Sequence, residues 1–182
     1  KNITLRFSNR LHDAIFANGH KLVLENVTCD SGFRYVDIFG GSLYENGKNI
    51  GNHPGSEAQI LITGGGTNLG NIYAGSMNGT YDGKTQIVLA HVSGTQNGEI
   101  YASGAIEPYV NQDDWFSTQE PDPPAADGQY TVSGDVEISL TGSDTKQVYG
   151  VSENHAGKTF LTIDTDQSYT GIPGISKVGN LT

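Results

Sequence analysis

The residues best suited to chemistry lie together in one polar stretch of the chain. Asp113 and Asp114 are its only adjacent acidic pair; Trp115 and Phe116 follow directly, and Tyr109 lies just before them. Paired carboxylates are the groups that glycoside chemistry uses. Aromatic rings beside a few polar groups are typical of ligand sites, including sites for sugars. The sequence therefore predicts a ligand-binding site at these five residues.

The acidic pair does not by itself predict an enzyme. A glycoside hydrolase needs two carboxylates at a controlled separation, and a lyase needs aspartates for Ca²⁺ together with an Arg or Lys base. Asp113 and Asp114 lie in a proline-flanked, irregular stretch, whereas Arg6, Arg10 and Arg34 all lie near the N-terminus. We expect no catalytic residue. The alternative is a carbohydrate-active enzyme, a polysaccharide lyase or glycoside hydrolase, with Asp113 and Asp114 as acid and base.

Metal ligation has one candidate. Asp164 and Asp166 are alternate carboxylates of the kind that Ca²⁺ prefers, although the glycine and distal Glu of a helix-loop-helix calcium site are missing. The five histidines show no zinc spacing, and the single Cys29 excludes an intramolecular disulfide and a cysteine-based zinc site. We expect no obligatory cofactor, with Ca²⁺ at Asp164 and Asp166 as the one metal hypothesis.

The charge balance limits the classes of partner. The formal net charge is −10, from 20 acidic and 10 basic residues, so no basic patch is available to neutralise phosphates. No apolar run is long enough to cross a membrane as a helix. We therefore expect no nucleic acid and no membrane insertion. A host glycan or surface protein, and neighbouring domains of a longer parent chain, are the partners we predict.

The elements that must position these residues form a repeated two-part pattern. An apolar run is followed, at a nearly constant distance, by Ile or Val and an aromatic residue. The clearest copies are Ile60–Ile62 with Ile72-Tyr73, and Ile87–Leu89 with Ile100-Tyr101. Weaker copies are Ile3–Leu5 with Ile15-Phe16, Leu22–Leu24 with Ile38-Phe39, Val136–Ile138 with Val148-Tyr149, and a sixth first half at Phe160–Ile163. Constant inner spacing with variable outer spacing is typical of a solenoid.

This pattern predicts an all-β chain and no helix. We interpret residues 1–182 as a single parallel β-helix of about five coils, with loop insertions at about 43–57 and 105–129. Adjacent residues of a strand point to opposite faces, so each Ile faces the interior and each following aromatic faces outward. The aromatic row is then either a self-stacked ladder or a platform for sugars. A β-sandwich is the alternative fold, and it does not explain the constant inner spacing.

Two short motifs refine this interpretation. Gly83-Lys84-Thr85 and Gly157-Lys158-Thr159 precede apolar runs and indicate turns; they lack the spacing of a phosphate-binding loop. The segment from Ile60 to Gly66, followed by Gly70-Asn71-Ile72-Tyr73-Ala74-Gly75, resembles repeats of bacterial adhesin-like surface proteins. Those repeats read as a strand, Thr-Gly-Gly, and then Gly-Asn-Val/Ile-Tyr-Gly-Gly; here Ala74 replaces a glycine, and the other units lack the Gly-Asn pair.

The resemblance implies a right-handed, single-stranded parallel β-helix from a secreted or cell-wall protein of Gram-positive or gut bacteria. It also implies a module excised from a larger multidomain protein. We expect a non-catalytic surface module that presents loops, above all the loop of Trp115, for adhesion or for glycan or protein binding. Besides the enzyme, the remaining alternative is a structural stalk or spacer without a ligand.

Overall fold

The protein consists of short strands in the parts that the structure describes. The computed structural model describes residues 3–5, 12–29, 35–42, 44–45, 48–49, 56–65, 69–77, 79–92, 98–104, 132–143, 148–150, 157–164, 175–176 and 180–181. Within these ranges no helix occurs, and so none that could span a membrane. The all-β prediction is confirmed.

The strands follow one another in a regular alternation between two sheets. In chain order they are β1 (Ile3–Leu5), β2 (His12–Phe16), β3 (Lys21–Cys29), β4 (Tyr35–Phe39), β5 (Tyr44–Glu45), β6 (Lys48–Asn49), β7 (Ser56–Gly65), β8 (Leu69–Tyr73), β9 (Gly83–Ala90), β10 (Ile100–Tyr101), β11 (Val136–Thr141), β12 (Val148–Tyr149), β13 (Thr159–Asp164), β14 (Ile175–Ser176) and β15 (Asn180–Leu181).

Two parallel sheets contain all of these strands except β5 and β6. Sheet A has seven strands in the order β1-β3-β7-β9-β11-β13-β15, and sheet B has six in the order β14-β12-β10-β8-β4-β2. Every pairing within them is parallel, and each strand pairs with the next strand of the same sheet along the chain. We call one sheet A strand and the following sheet B strand a unit. Successive units therefore stack strand on strand.

The core lies between the two sheets. Where burial is described, it is formed by alternate strand residues, including Ile38, Ile60, Ile62, Ile72, Ile87, Leu89, Ile100 and Ile138, each at most 4% exposed. Strand β9 shows the alternation most plainly, since its odd-numbered residues are buried and the residues between them face outward. Burying one such aliphatic side chain contributes about 1.5–3 kcal/mol. The interior is therefore an aliphatic column that each unit extends.

Threonine hydroxyls join the two sheets across this interior. Thr85 Oγ1 donates to the carbonyl of Ala74 at 2.7 Å, and Thr159 Oγ1 donates to the carbonyl of Gly150. Both threonines are buried, and both follow a Gly-Lys pair. The repeated Gly-Lys-Thr motif thus ends a turn and caps a carbonyl just past the preceding sheet B strand.

The register corrects two of the predicted repeat copies. Ile138, not Val136, lies opposite Ile87, so the equivalent run is Ile138–Leu140. Ile3–Leu5 pairs with Val27–Cys29 and does not align with Leu22–Leu24. Side chains on one face of a strand recur every second residue, so the sequence pattern cannot exclude a shift by an even number of residues.

A column of left-handed backbone crosses sheet A. Asn26, Gly64, His91 and Gly142 occupy the same register position in β3, β7 and just beyond β9 and β11, with φ between 50° and 59°. Gly, Asn and His are the residues that adopt this conformation most readily. The side chain of Asn26 lies where a Cβ on Gly64 would stand, and His91 lies similarly against Gly142. Side-chain-bearing residues and glycines therefore alternate along the column.

The predicted insertions are only partly within the described residues. In the first, at 43–57, Tyr44–Glu45 pairs antiparallel with Lys48–Asn49, and strand β7 already begins at Ser56. The first insertion therefore ends before Ser56. The second insertion, 105–129, lies outside the described residues.

Candidate functional site

Most of the predicted ligand residues lie outside the described part of the chain. They are Tyr109, Asp113, Asp114, Trp115, Phe116 and the metal candidate Asp166. Asp164 is described: it ends β13 with an exposed side chain, and its carbonyl accepts the Gly142 N–H at 3.0 Å. Among the described residues, no group of three or more His, Cys, Asp or Glu side chains could hold a metal ion. The binding site and the Ca²⁺ site both stay predictions.

The structure does show where both insertions leave the stacked units. The Ser42 N–H donates to Ser76 Oγ at 3.1 Å, and the Met77 N–H donates to the Ser42 carbonyl at 3.0 Å. Gly104 packs so closely on Ser76 that a Cβ there would overlap its carbonyl oxygen. Ser42, Ser76 and Gly104 therefore form one column, the exit column. Because neighbouring strands lie about 4.8 Å apart, the two insertions leave it about 10 Å from each other.

Both insertions also return at one column. Ser56, the first residue after the first insertion, lies opposite Gly83, and the Gly134 N–H donates to the Gly83 carbonyl at 3.0 Å. A Cβ on Gly83 or Gly134 would overlap the backbone of the preceding unit. Just before this return column, Tyr81 and Val132 form a parallel bridge. The unit between the two insertions spans the same corner with residues 77–82 alone.

A buried tyrosine fixes the return column. Tyr81 is 0% exposed, and its hydroxyl accepts the Ala58 N–H at 3.1 Å. The same oxygen lies 3.2 Å from the carbonyls of Ser56 and Lys84, either of which can accept its proton. Burial raises the pKa of Tyr81, which keeps the hydroxyl protonated. The start of β7 is thereby tied to β9 directly beside the end of the first insertion.

The outer face of sheet B carries a row of stacked aromatic rings. Phe16, Phe39, Tyr73, Tyr101 and Tyr149 stack in that order, with ring centroids 5.2, 4.8, 4.9 and 4.6 Å apart and interplanar angles of 8–21°. The faces of the inner rings are therefore covered by neighbouring rings, and Phe39 is only 1% exposed. The self-stacked ladder is confirmed. A sugar cannot stack on a ring inside the row, so the platform hypothesis fails there.

A polar row of Asp37, Asn71 and Glu99 runs beside the aromatic row, two residues before Phe39, Tyr73 and Tyr101 respectively. Asp37 Oδ1 accepts the Asn71 N–H at 2.7 Å, and Asn71 Oδ1 accepts the Glu99 N–H at 2.9 Å. The register between β4 and β8 slips by one residue at this point. The slip takes the Asn71 N–H out of the regular ladder, and a buried N–H needs an acceptor. These side chains therefore complete the backbone hydrogen bonding of sheet B.

The polar row also serves the tyrosine hydroxyls. Asn71 Nδ2 donates to Tyr73 Oη at 2.9 Å, and Tyr101 Oη donates to the Glu99 carboxylate. Burial, with the Asp37 charge, raises the pKa of Tyr73. Burial, with the hydrogen bond to Glu99, raises the pKa of Tyr101. Both rings thus carry neutral hydroxyl groups that the adjacent row binds.

Sequence reasoning missed this polar row, although a signal was present. Gly70-Asn71-Ile72-Tyr73 has an equivalent in Gly98-Glu99-Ile100-Tyr101, because Ile72 pairs with Ile100 and Gly98 packs on the Gly70 backbone. The shared feature is a glycine two residues before the Ile, followed by any side chain that can accept a hydrogen bond. The Gly-Asn pair alone identifies only one of the two copies.

The described arrangement can hold loops in fixed positions. Its row carboxylates, Asp37 and Glu99, accept hydrogen bonds from the protein itself, an N–H and a tyrosine hydroxyl, as structural groups do. Among the described residues, these two carboxylates are therefore part of the scaffold. No protein-family model, curated protein or solved structure matches this chain.

Proposed function

We propose that the stacked units are coils of a right-handed parallel β-helix that forms a non-catalytic module of a secreted or cell-surface protein. The module presents its two insertions for adhesion, by binding a glycan or a protein. One observation carries the proposal: both insertions start and end at shared columns, while the unit between them closes the corner with residues 77–82. The corner is complete without the insertions. Loops that a rigid scaffold does not need are where binding residues concentrate.

The second insertion has the better chemistry for a ligand. Trp115 and Phe116 offer apolar ring area, and Asp113 and Asp114 offer hydrogen-bond acceptors beside it, with Tyr109 earlier in the same segment. Sugar rings have apolar C–H faces and hydroxyl groups, so this combination suits them. The acidic net charge makes a neutral or basic ligand more favourable than an anionic one.

A loop replacement tests the proposal. Gly104 stacks on Ser76, and Val132 bridges Tyr81, so residues 77–80 span the same gap that residues 105–131 span. Replacing residues 105–131 by the sequence Met-Asn-Gly-Thr of residues 77–80 should leave a folded protein with an unchanged scaffold. We expect binding on a glycan array, run with Ca²⁺ and with EDTA, to be lost in this variant and in Trp115→Ala.

Phe160→Ala is the matched control, because Phe160 is an aromatic residue of sheet A that belongs to neither insertion. It should keep the binding of the unmodified protein. Equal binding by the unmodified and loop-replaced proteins would refute the role of the second insertion. Binding that requires Ca²⁺ and is lost in Asp164→Asn would support the metal hypothesis.

Two outcomes would favour the other functions. Cleavage of a polysaccharide by the purified chain, lost in Asp113→Asn or Asp114→Asn, would support the carbohydrate-active enzyme. Silence on the array and no captured protein partner, with full stability of the loop-replaced variant, would support a stalk or spacer.

A further inference from the structure

The outer face of sheet A has a regular chemical pattern. Register places its side chains in three rows: a central row of Val23, Leu61, Val88, Ser139 and Thr162; a leading row, two residues earlier, of Lys21, Gln59, Gln86, Glu137 and Phe160; and a trailing row, two residues later, of Glu25, Thr63, Ala90, Thr141 and Asp164. The apolar end of the central row is accessible. Val23 is 49% exposed, and Leu61 and Val88 are partly exposed.

Opposite charges flank this apolar end. Lys21 and Glu25 are both exposed and lie two residues to either side of Val23 on the same face of β3. Among the described strands, this part of β3 pairs only with β7, because β1 pairs with Val27–Cys29. Among the described residues, Val23 therefore has a neighbouring strand on one side, and it is the most exposed apolar residue of the row.

We infer that this face binds the same face of a second copy of the chain, about a two-fold axis that runs along the stack of strands. Such an axis reverses the strand direction and keeps each strand opposite its own copy. Val23, Leu61 and Val88 are register partners, so they lie on one line across the strands. When the axis runs along that line, each of them meets its own copy. Lys21 faces Glu25 of the second copy, and the pair occurs twice. Two copies of one surface must be self-complementary about such an axis.

None of the remaining pairs places like charges together. The axis places Gln59 opposite Thr63, Gln86 opposite Ala90, Glu137 opposite Thr141 and Phe160 opposite Asp164 of the second copy. An axis along the strands instead, centred on β9, places Glu25 opposite Asp164 and Val23 opposite Thr162. Facing acids repel, and an apolar side chain against a hydroxyl gains little. The charge pattern therefore selects the axis along the stack.

The size of the face sets the strength of association. Five strands about 4.8 Å apart and three rows about 6.8 Å apart give a face of roughly 20 by 24 Å. Two such faces bury about 1,000 Å² in total, at the low end of specific interfaces. The dimer is therefore weak and forms reversibly at high protein concentration. The three rows include none of the residues of the exit and return columns, from which both insertions arise.

Sedimentation velocity over a range of concentrations tests the inference. Lys21→Glu places two acids against each other twice and should weaken dimerisation about tenfold or more. The double variant Lys21→Glu with Glu25→Lys restores opposite charges across the axis and should recover the association of the unmodified chain. Lys84→Glu, an equally exposed charge outside the three rows, is the matched control and should change nothing. Circular dichroism of each variant confirms that the fold is intact.

Cysteine cross-linking separates the two axes. In a Cys29→Ala background, Val23→Cys should form a disulfide-linked dimer under mild oxidation, because Val23 meets its own copy. A monomeric chain at all concentrations, or a dimer that neither Lys21→Glu nor Val23→Lys weakens, would overturn the inference. So would a charge-reversed double variant that associates no better than Lys21→Glu alone.

Discussion

The two faces of sheet B are built from alternate residues of the same strands, yet different forces hold them. The inner face carries Ile38, Ile72, Ile100 and Val148, which are at most 4% exposed and pack into the common core. The outer face carries the aromatic row, which packs mainly on itself and on a polar row beside it. The inner face needs only apolar volume. The outer face needs similar ring shapes at matching positions of successive units. Its packing therefore depends on the alignment of neighbouring strands.

The largest effect is expected at the inner face. Ile100→Ala should lower the free energy of unfolding by about 2–5 kcal/mol, because it removes a buried side chain and leaves a cavity between the sheets. Urea denaturation followed by circular dichroism measures the change. Val88→Ala, a partly exposed aliphatic residue on the outside of sheet A, is the control and should cost less. Equal costs would contradict the expectation that burial between the sheets sets the loss of stability.

The next prediction compares a tyrosine of the main core with one on the outer face of sheet B. Tyr81→Phe leaves the buried Ala58 N–H without its acceptor and should cost about 1–3 kcal/mol in unfolding free energy. Tyr73→Phe removes only a hydrogen bond from the Asn71 side chain and should cost about 0.5–1.5 kcal/mol. If Tyr73→Phe proves the more damaging change, the outer polar row contributes more than the return column.

Stacking within the aromatic row should appear as a coupling energy. A double-mutant cycle of Phe39→Leu and Tyr73→Leu, whose ring centroids are 4.8 Å apart, should give about 0.5–1.5 kcal/mol beyond additivity. The control cycle pairs Phe16→Leu with Tyr101→Leu, which lie at least two units apart in the row and should be additive. A coupling of zero for the neighbouring pair would mean that the rings only fill space.

The last prediction concerns the tyrosines on the outer face of sheet B, whose ionisation should change stability only at high pH. Their pKa values are raised above the ordinary value of 10.0, so the folded state holds these protons more tightly than the unfolded state does. The resulting stability is fully present below about pH 10 and is lost as the pH rises toward the folded-state pKa. Thermal unfolding at increasing pH should show this decline, and the double variant Tyr73→Phe with Tyr101→Phe should flatten it. A decline of the same slope in that variant would contradict the assignment.

Particular residues show how far the sequence could predict the fold. The alternation of Ile72-Tyr73 and Ile100-Tyr101 fixed which side chain faces the core, because adjacent residues of a strand face opposite ways. It did not fix the alignment of Val136–Ile138, where a shift of two residues keeps the same face buried. The Gly-Lys-Thr motif predicted a turn, and the hydroxyl-to-carbonyl bond that follows it needed the other sheet.

The candidate site divides in the same way. Composition and spacing marked Trp115 and its acidic neighbours as ligand residues, because their chemistry is local and visible in one segment. The stacking of Ser42, Ser76 and Gly104 could not be predicted, because these residues come from three units that only the register brings together.

By itself, the sequence determined the all-β class, the division into units, the inward Ile and the outward aromatic ring, since these depend on local periodicity. The tertiary structure decided the alignment between units, the left-handed column through Asn26 and His91, and the shared stems of the two insertions. These depend on contacts between residues far apart in the chain. The hydrogen bond from the Asn71 N–H to Asp37 exists only once two strands lie side by side, and no pattern within either strand contains it.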